Sequence, residues 1–535
     1  DVMACVKHFA FNQMENARFK VSVYADKRTE REVFLPHFKD CVDAGAAAIM
    51  SSYNLYNKIK CGHHKYLLGT VLKDEWDFDG FVMSDFIYGV NDTVEAANGG
   101  QDMEMCITQY FGSKLVKAVQ DGFVPETKID EAALRIVRTI LAFDRGHKEY
   151  DMSVVGCKEH IALAKRAAEE SITLIKNNGV LPFDKKKVKK LAVLGKLANY
   201  ENIGDHGSSC VYPEYVVTPL QGIAAVAPDT EVIFEDGSDL EAAKKAAAQA
   251  DAVLFVVGYN FDDEGEYISG DDFGSMSGAA ESVGGDRKPG LSLHKDEIEL
   301  ILAVGPVNPN SAVVMIGGNT ITMKEWQDST GAVLMAYYPG QEGGTAIAEI
   351  LFGDVNPSGK LPFVIPQDEA DLPQVDWEAT EQYYGYYHGY TKLEKEGIAP
   401  LYPYGHGLSY TTFKVSDATF NGDDTKVTAT CKVKNVGARR EQIFFCDIFV
   451  DDIAQTLTAR LRRKGQTALA HLLHALHQLH AEGVCAQRRQ RQADAALFAN
   501  IQQIIGELRQ LGIVTGRQRG QRNFFIAGIV QHGLC

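Results

Sequence analysis

Three stretches of the chain place polar side chains at the ends of apolar runs, where a β/α fold displays its reactive groups. In GFVMSDF the run ends in Asp85, a carboxylate that a strand would deliver to the C-terminal rim of such a fold. Aspartate is also a favoured helix N-cap, so Asp85 could equally start the helix that follows. In VKHFAFNQMENARF, Lys7, His8 and Arg18 offer several hydrogen-bond donors with no acid before Glu15. A set of that kind suits a hydroxyl-rich ligand, although a lone Lys-His pair is more often a solvated loop. In IMSSYN, Met50 and Tyr53 can line a pocket, and the Tyr53 hydroxyl can steady a neighbouring carboxylate. Three strand ends on one face would set one acid among several donors.

The elements that must position these groups follow from the periodicity. From residue 1 to about 145, short apolar runs such as AAAIM (46–50) and GFVMS (80–84) alternate with helix-like stretches. The segment is shorter than the roughly 250 residues of a complete (β/α)8 barrel and opens on a strand end. Residues 1–150 are therefore expected to form the C-terminal part of a TIM barrel whose front is absent. Over 151–366, LAVLG (191–195), AVLFVVG (252–258), AVVMIGG (312–318) and AVLMAYY (332–338) are continuous apolar runs, as in strands buried on both faces. With helical stretches such as LEAAKKAAAQA (240–250) between them, they predict a second, doubly wound α/β domain. The loop from Tyr259 to Pro289 is long, acidic and rich in Gly and Ser, as functional loops often are. Residues 367–410 read as a linker. Residues 411–450, with KVTATCKVKNV and QIFFCDIFV, read as an incomplete β-sandwich.

From 451 onward the composition changes. Lys and Arg number eleven against five acids, a net of +6 that leaves −23 of the chain's −17 total for the first 450 residues. Two amphipathic helices are expected there, TALAHLLHALHQLHAEG and DAALFANIQQIIGELRQLG, in a segment that reads as unrelated to the rest, of frame-shifted or chimeric origin. Its histidines 471, 474, 477 and 480 recur every third residue, which drifts around a helix and supplies no metal cage. Neither a metal nor an organic cofactor is expected.

The remaining bulk properties narrow the function classes. A net charge of −17 repels phosphate backbones and anionic lipid, so nucleic acid and membrane surfaces are poor partners and a neutral substrate fits better. No apolar run reaches 18 residues, and the ten cysteines form no C-x-x-C pair or regular framework. The first residues lack a signal-peptide pattern and an initiating Met. The reading is a soluble piece of a longer protein, cytoplasmic or secreted.

The order KHF…NAR, MSSYN, GFVMSDF resembles glycoside hydrolase family 3, the β-glucosidase and β-xylosidase family. The resemblance continues through GDHGSSCVYPEYVVTPLQGI (204–223), the EGE…GGDR loop (264–287), PGQEGGTAIAEILFGDVNPSGKLPFVIP (339–366) and YPYGHGLSYTTF (402–413). It implies a (β/α) barrel, an α/β sandwich contributing to the same active site, and a fibronectin type III-like domain. It also implies a retaining exo-β-glycosidase, most simply a β-glucosidase, with β-xylosidase as the alternative within the family. An inactive truncated fragment or sugar-binding remnant is the alternative outside it.

By motif position, Asp85 would be the nucleophile, and Lys7, His8, Arg18, Met50 and Tyr53 would surround the terminal sugar. Phe86 stands where many members have Trp and would keep a smaller stacking surface. Ser208 would reach the site from the second domain. The acid/base would be a Glu in DDEGEYI, Glu264 being preferred over Glu266 because the family's acid usually precedes a Gly. Glu342 of GQEGG reads as structural, near a helix start. A retaining mechanism needs two carboxyl groups about 5 to 5.5 Å apart. Lys7 and other cations would keep Asp85 ionised, and burial would hold a proton on Glu264. The Gly-rich KHFPG-type motif of members that act on N-acetylglucosamine is absent after His8, where FAFNQMENAR stands.

Overall fold

The computed structural model describes residues 2–146, 148–149, 151–267, 284–287, 289–422, 426–437 and 449–451. Most of the 259–289 loop and the 452–535 segment, with its expected helices and its histidines, lie outside the described residues. The chain divides into two units, Asp1–Met152 with Gln374–Tyr387, and Ser153–Pro373 with His388 onward.

In the first unit, β1 (Cys5–Phe9), β3 (Ala48–Ser51) and β6 (Phe81–Ser84) form a parallel sheet in the order β1-β3-β6. The register Met50↔Met83 and Ser51↔Ser84 sets the C-terminal ends of these strands side by side. A smaller sheet contains β2 (Ser22–Tyr24), β4 (Leu55–Tyr56) and β5 (Ile59–Lys60). The helices are α1 (Pro36–Asp43), α2 (Thr93–Gly99), α3 (Ser113–Gln120) and α4 (Glu126–Asp144), besides the π-wound Lys65–Glu75. α1 opens on a proline at its first turn, where the missing N–H costs nothing. The core gathers Phe9, Phe11, Met14, Ile49, Tyr56, Leu67, Leu68, Val71 and Val82. β6 is locked from behind by a buried ion pair: Lys73 Nζ lies 2.7 Å from Asp102 Oδ1, and Asp102 Oδ2 accepts the Val82 N–H at 2.8 Å.

The second unit is built on six strands: β7 (Thr173–Asn177), β8 (Lys190–Leu194), β9 (Glu231–Glu235), β10 (Ala252–Gly258), β11 (Ser311–Ile316) and β12 (Ala332–Tyr337). Their order is β7-β12-β11-β10-β8-β9, parallel except for β7, which runs antiparallel to β12. The period-2 alternation of strand side chains explains the unbroken apolar runs. Leu254, Val256, Val314 and Leu334 enter one core, while Val253, Phe255, Val257, Val313 and Met335 enter the other.

Helices cover both faces. α5 (Lys158–Ser171), α6 (Pro219–Val226) and α10 (Gly343–Leu351) supply the first core, whereas α7 (Leu240–Gln249) and α9 (Lys295–Val304) supply the second. α6 starts where Thr218 and Gln221 form a reciprocal capping box ahead of Pro219. α7 starts at Asp239, whose side chain accepts two first-turn N–H groups. α8 (Phe261–Glu264) is a single turn, capped by Asn260 and Asp263.

Two pieces follow. β13 (Glu381–Tyr383), inside the stretch expected to be linker, belongs to the first unit and pairs in parallel with β2. β14 (Phe413–Gly422), β15 (Lys426–Asn435) and β16 (Phe449–Asp451) make an antiparallel sheet, while Gln442 to Ile448 of the second expected strand lie outside the described residues.

Candidate active site

In the first unit, the strand ends bring Lys7 and His8 of β1, Met50 of β3 and Asp85 after β6 onto one rim. The Asp85 N–H donates to Ser51 O at 3.2 Å, so the residue leaves β6 still tied to β3. Its carboxyl is 10% exposed, Oδ1 accepts the Phe86 N–H at 2.8 Å, and His8 Nε2 lies 3.5 Å from Oδ2. Oδ2 is buried and accepts no hydrogen bond, which leaves a carboxylate oxygen available to a ligand atom. Capping is not the task of Asp85. The next helix, α2, is capped by Asp92, which accepts the Glu95 N–H at 2.8 Å.

Burial pushes the Asp85 carboxyl up, while His8, the Phe86 N–H, the Tyr53 hydroxyl and Lys7 act in the other direction without cancelling it. Desolvation is thus the larger effect on this carboxyl, and the cations expected to favour its ionised form act against it. A carboxylate stripped of water in this way is a better nucleophile than a solvated one.

The surrounding residues divide by how free they are. Tyr53 is buried, and its hydroxyl donates to Phe86 O at 2.8 Å, which steadies the backbone beside Asp85. Met50 is also buried. Arg18 is buried against the Tyr53 ring, 5.4 Å from its centroid, and already holds Glu15 at 2.7 Å, so part of its donor capacity is spent inside the unit. Lys7 is exposed, and the Phe86 ring is 42% exposed, an apolar surface available for stacking. Sequence reasoning overlooked Lys60, whose ammonium is held down by burial and donates to Tyr53 O at 3.1 Å.

In the second unit the candidate residues sit where the strand order reverses. β9 lies on one side of β8 and β10 on the other, so the loops leaving β8 and β10 flank the crevice that doubly wound sheets use for ligands. Ser208 lies on the first loop and Glu264 and Glu266 on the second. They are knitted together: the Ser208 N–H donates to Glu266 Oε2 at 2.5 Å, and the Glu266 N–H donates to Asp205 Oδ1 at 2.8 Å.

The two glutamates differ in what they touch. Glu264 is 13% exposed in its side chain, and its Oε2 accepts the Gly318 N–H at 2.6 Å and the Tyr338 hydroxyl at 2.7 Å. Its Oε1 lies 3.4 Å from Arg287 Nε, and that guanidinium, 8% exposed, also donates to Thr320 O at 2.7 Å. A carboxyl engaged by a buried cation and two donors is held in place as an anchor, with less freedom to turn toward a ligand. This counts against the preference for Glu264 over Glu266. The partners Arg287, Gly318 and Tyr338 come from far along the chain. Arg287 was visible in GGDR, and Tyr338 as the last residue of AVLMAYY. Glu342 is occupied as well, accepting from Tyr215 and Thr345 hydroxyls at 2.6 Å each, as expected of a structural residue at a helix start.

Among the described residues, no group of three or more His, Cys, Asp and Glu is placed to hold a metal ion, and no helix is long and apolar enough to cross a membrane.

Residues 1–139 match the glycosyl hydrolase family 3 N terminal domain, and residues 172–410 match the glycosyl hydrolase family 3 C-terminal domain. Thermostable beta-glucosidase B of Acetivibrio thermocellus is 35% identical over 462 residues, covering 82% of this chain and 58% of the relative. An exo-alpha-(1->6)-L-arabinopyranosidase of Bifidobacterium longum is 32% identical over 455 residues, covering 79% and 57%. Among solved structures, a beta-D-glucoside glucohydrolase from Trichoderma reesei superposes with a TM-score of 0.74 at 26% identity, covering 82% of this chain and 66% of the other. Beta-glucosidase 3B from Thermotoga neapolitana in complex with alpha-D-glucose gives 0.71 at 25%, covering 82% and 65%. The chain thus spans 57–58% of the two curated relatives named here.

Proposed function

The chain belongs to glycosyl hydrolase family 3, and from that premise we propose that it carries the chemistry of a retaining exo-β-glycosidase acting on terminal β-linked glucosides. The observation that carries the reading is Asp85: a buried carboxylate at a strand end, with His8 3.5 Å from its Oδ2, an oxygen that accepts no hydrogen bond. In this mechanism Asp85 attacks the anomeric carbon as the aglycone leaves, giving a covalent glycosyl-aspartate. Water then releases the sugar with its configuration retained. Lys7, His8 and Arg18 supply donors for sugar hydroxyls, and Met50, Tyr53 and Phe86 supply apolar and aromatic surface.

The acid/base belongs to the loop after β10, and we assign it to Glu266. The Glu264 carboxyl is engaged by a buried cation, Arg287, besides Gly318 and Tyr338, while Glu266 accepts the Ser208 N–H, and the buried ion pair at Glu264 is what supports choosing its neighbour. On the same footing, the first unit is read as part of a (β/α)8 barrel, the second as the family's α/β sandwich, and β14–β16 as the start of a fibronectin type III-like domain.

Assay against nitrophenyl β-glucoside, β-xyloside and α-arabinopyranoside, with the first-formed anomer read by NMR, tests the reading. The β-glucoside is expected to be hydrolysed fastest with β-glucose as first product. An α-anomer, or no hydrolysis of any of the three, removes it.

A further inference from the structure

Asp85 does not stand alone at the end of β6: the residues after it, 86–91, fold back over it before α2 begins. A Cβ at Gly89 would lie 2.4 Å from Asp85 O, so the loop returns against its own start and only glycine fits there. The turn Cys61–His63 presses on it in the same way, since a Cβ at Gly62 would lie 2.3 Å from Gly89 O. Ile87 N–H ties the loop to Met105 O at 2.8 Å.

His63 closes this arrangement. Its side chain is 2% exposed, and its Nε2 accepts the Asn91 N–H at 3.2 Å. A ring nitrogen that accepts carries no proton, so the bonds imply a neutral ring with its hydrogen on Nδ1, which faces Glu95 Oε2 of α2 at 3.4 Å. One ring thus bridges the end of the Asp85 loop and the first turn of the helix after it.

We infer that His63 is a positioning residue for Asp85: neutral, it pins the 86–91 loop that shapes the carboxyl's surroundings, and protonated, it has no lone pair for the Asn91 N–H and lets the loop go. The link to catalysis rests on the proposed function, whereas the clamp itself does not. The charged groups facing the ring are Glu95 and the cap Asp92, which favour its proton, and Lys60 at the end of β5, which opposes it. Burial is the largest influence and disfavours the cation, so the ring stays neutral below the ordinary imidazole range. Release therefore falls below the ordinary imidazole range.

The test measures hydrogen–deuterium exchange of peptides covering 86–92 across pH, corrected for intrinsic exchange, in the full chain and in His63→Gln and His63→Leu. The native chain should lose protection on acidification, with exchange about fivefold faster, as for one lost hydrogen bond. His63→Gln, whose amide oxygen can accept but does not titrate, should stay protected, and His63→Leu should exchange fast throughout. The acid limb of kcat for an activated aryl β-glucoside should move to lower pH in His63→Gln with KM unchanged. Exchange that is flat with pH in the native chain overturns the clamp, whatever the activity. A released loop with identical acid limbs in native and His63→Gln chains overturns its link to Asp85. A native chain that hydrolyses nothing removes the proposed function, while the exchange data still decide the clamp.

Discussion

Arg287 Nε lies 3.4 Å from Glu264 Oε1, and both side chains are almost fully withdrawn from solvent, at 8% and 13% exposure. A buried guanidinium would be left uncompensated without the carboxylate beside it. Glu264 therefore acts as an anchor that ties the loop after β10 to the ends of β11 and β12, through Gly318 and Tyr338.

The two glutamates should consequently respond differently to removal. Glu266→Ala should cripple hydrolysis of substrates with poor leaving groups far more than of activated aryl glycosides, and added azide should yield a β-glycosyl azide. Glu264→Ala should lower unfolding free energy by about 2 kcal/mol in a denaturant titration, as for a lost charged hydrogen-bonding group, without azide rescue. A glycosyl azide from Glu264→Ala and none from Glu266→Ala would reverse the assignment.

Asp85 should act against stability. Its carboxyl is pushed up by burial, so the protonated form is the one the fold prefers. The stability it contributes is fully present below the ordinary aspartate pKa and is lost as pH rises through the raised value. Asp85→Asn should therefore melt higher than the native chain at neutral pH, by on the order of 2–4 °C, and the difference should close on acidification. Lower melting of the variant at neutral pH would mean that the surrounding cations outweigh burial.

Glu297 on α9 offers a pH effect away from the chemistry. It is buried, Oε1 accepts the Gly258 N–H at 3.0 Å, and Oε2 is unpartnered. Burial pushes it up to about 7. Its folded value lies above the unfolded one, so stability drains away as pH climbs from the ordinary glutamate range through about 7. Glu297→Gln should match the native chain in acid and exceed it above neutrality in thermal melts. Equal melting at pH 8 would contradict this.

Several elements were legible in the sequence because local pattern decides them. The runs at 46–50, 80–84, 191–195, 252–258, 312–318 and 332–338 coincide with β3, β6, β8, β10, β11 and β12 to within about two residues. Placement of Asp85 at a strand end followed from GFVMSD alone. The choice between capping and a place on the strand-end rim did not, because it depended on Asp92, seven residues further along. The bonding of Glu264 was illegible for a similar reason, since its partners Arg287, Gly318 and Tyr338 meet it only through the sheet order. His63 gave no signal at all: a lone histidine beside another in CGHHK reads as core or surface until its Nε2 is seen on the Asn91 N–H.

If Asp85 forms the covalent bond to the sugar, as proposed, that bond can be trapped. The protein is incubated with an activated 2-deoxy-2-fluoro-β-glucoside, digested, and its labelled peptide sequenced by mass spectrometry. One fluoroglucosyl group is expected on the peptide containing GFVMSDF, attached at Asp85 and absent from Asp85→Asn. A label on any other residue, or turnover with inversion of configuration, would contradict it.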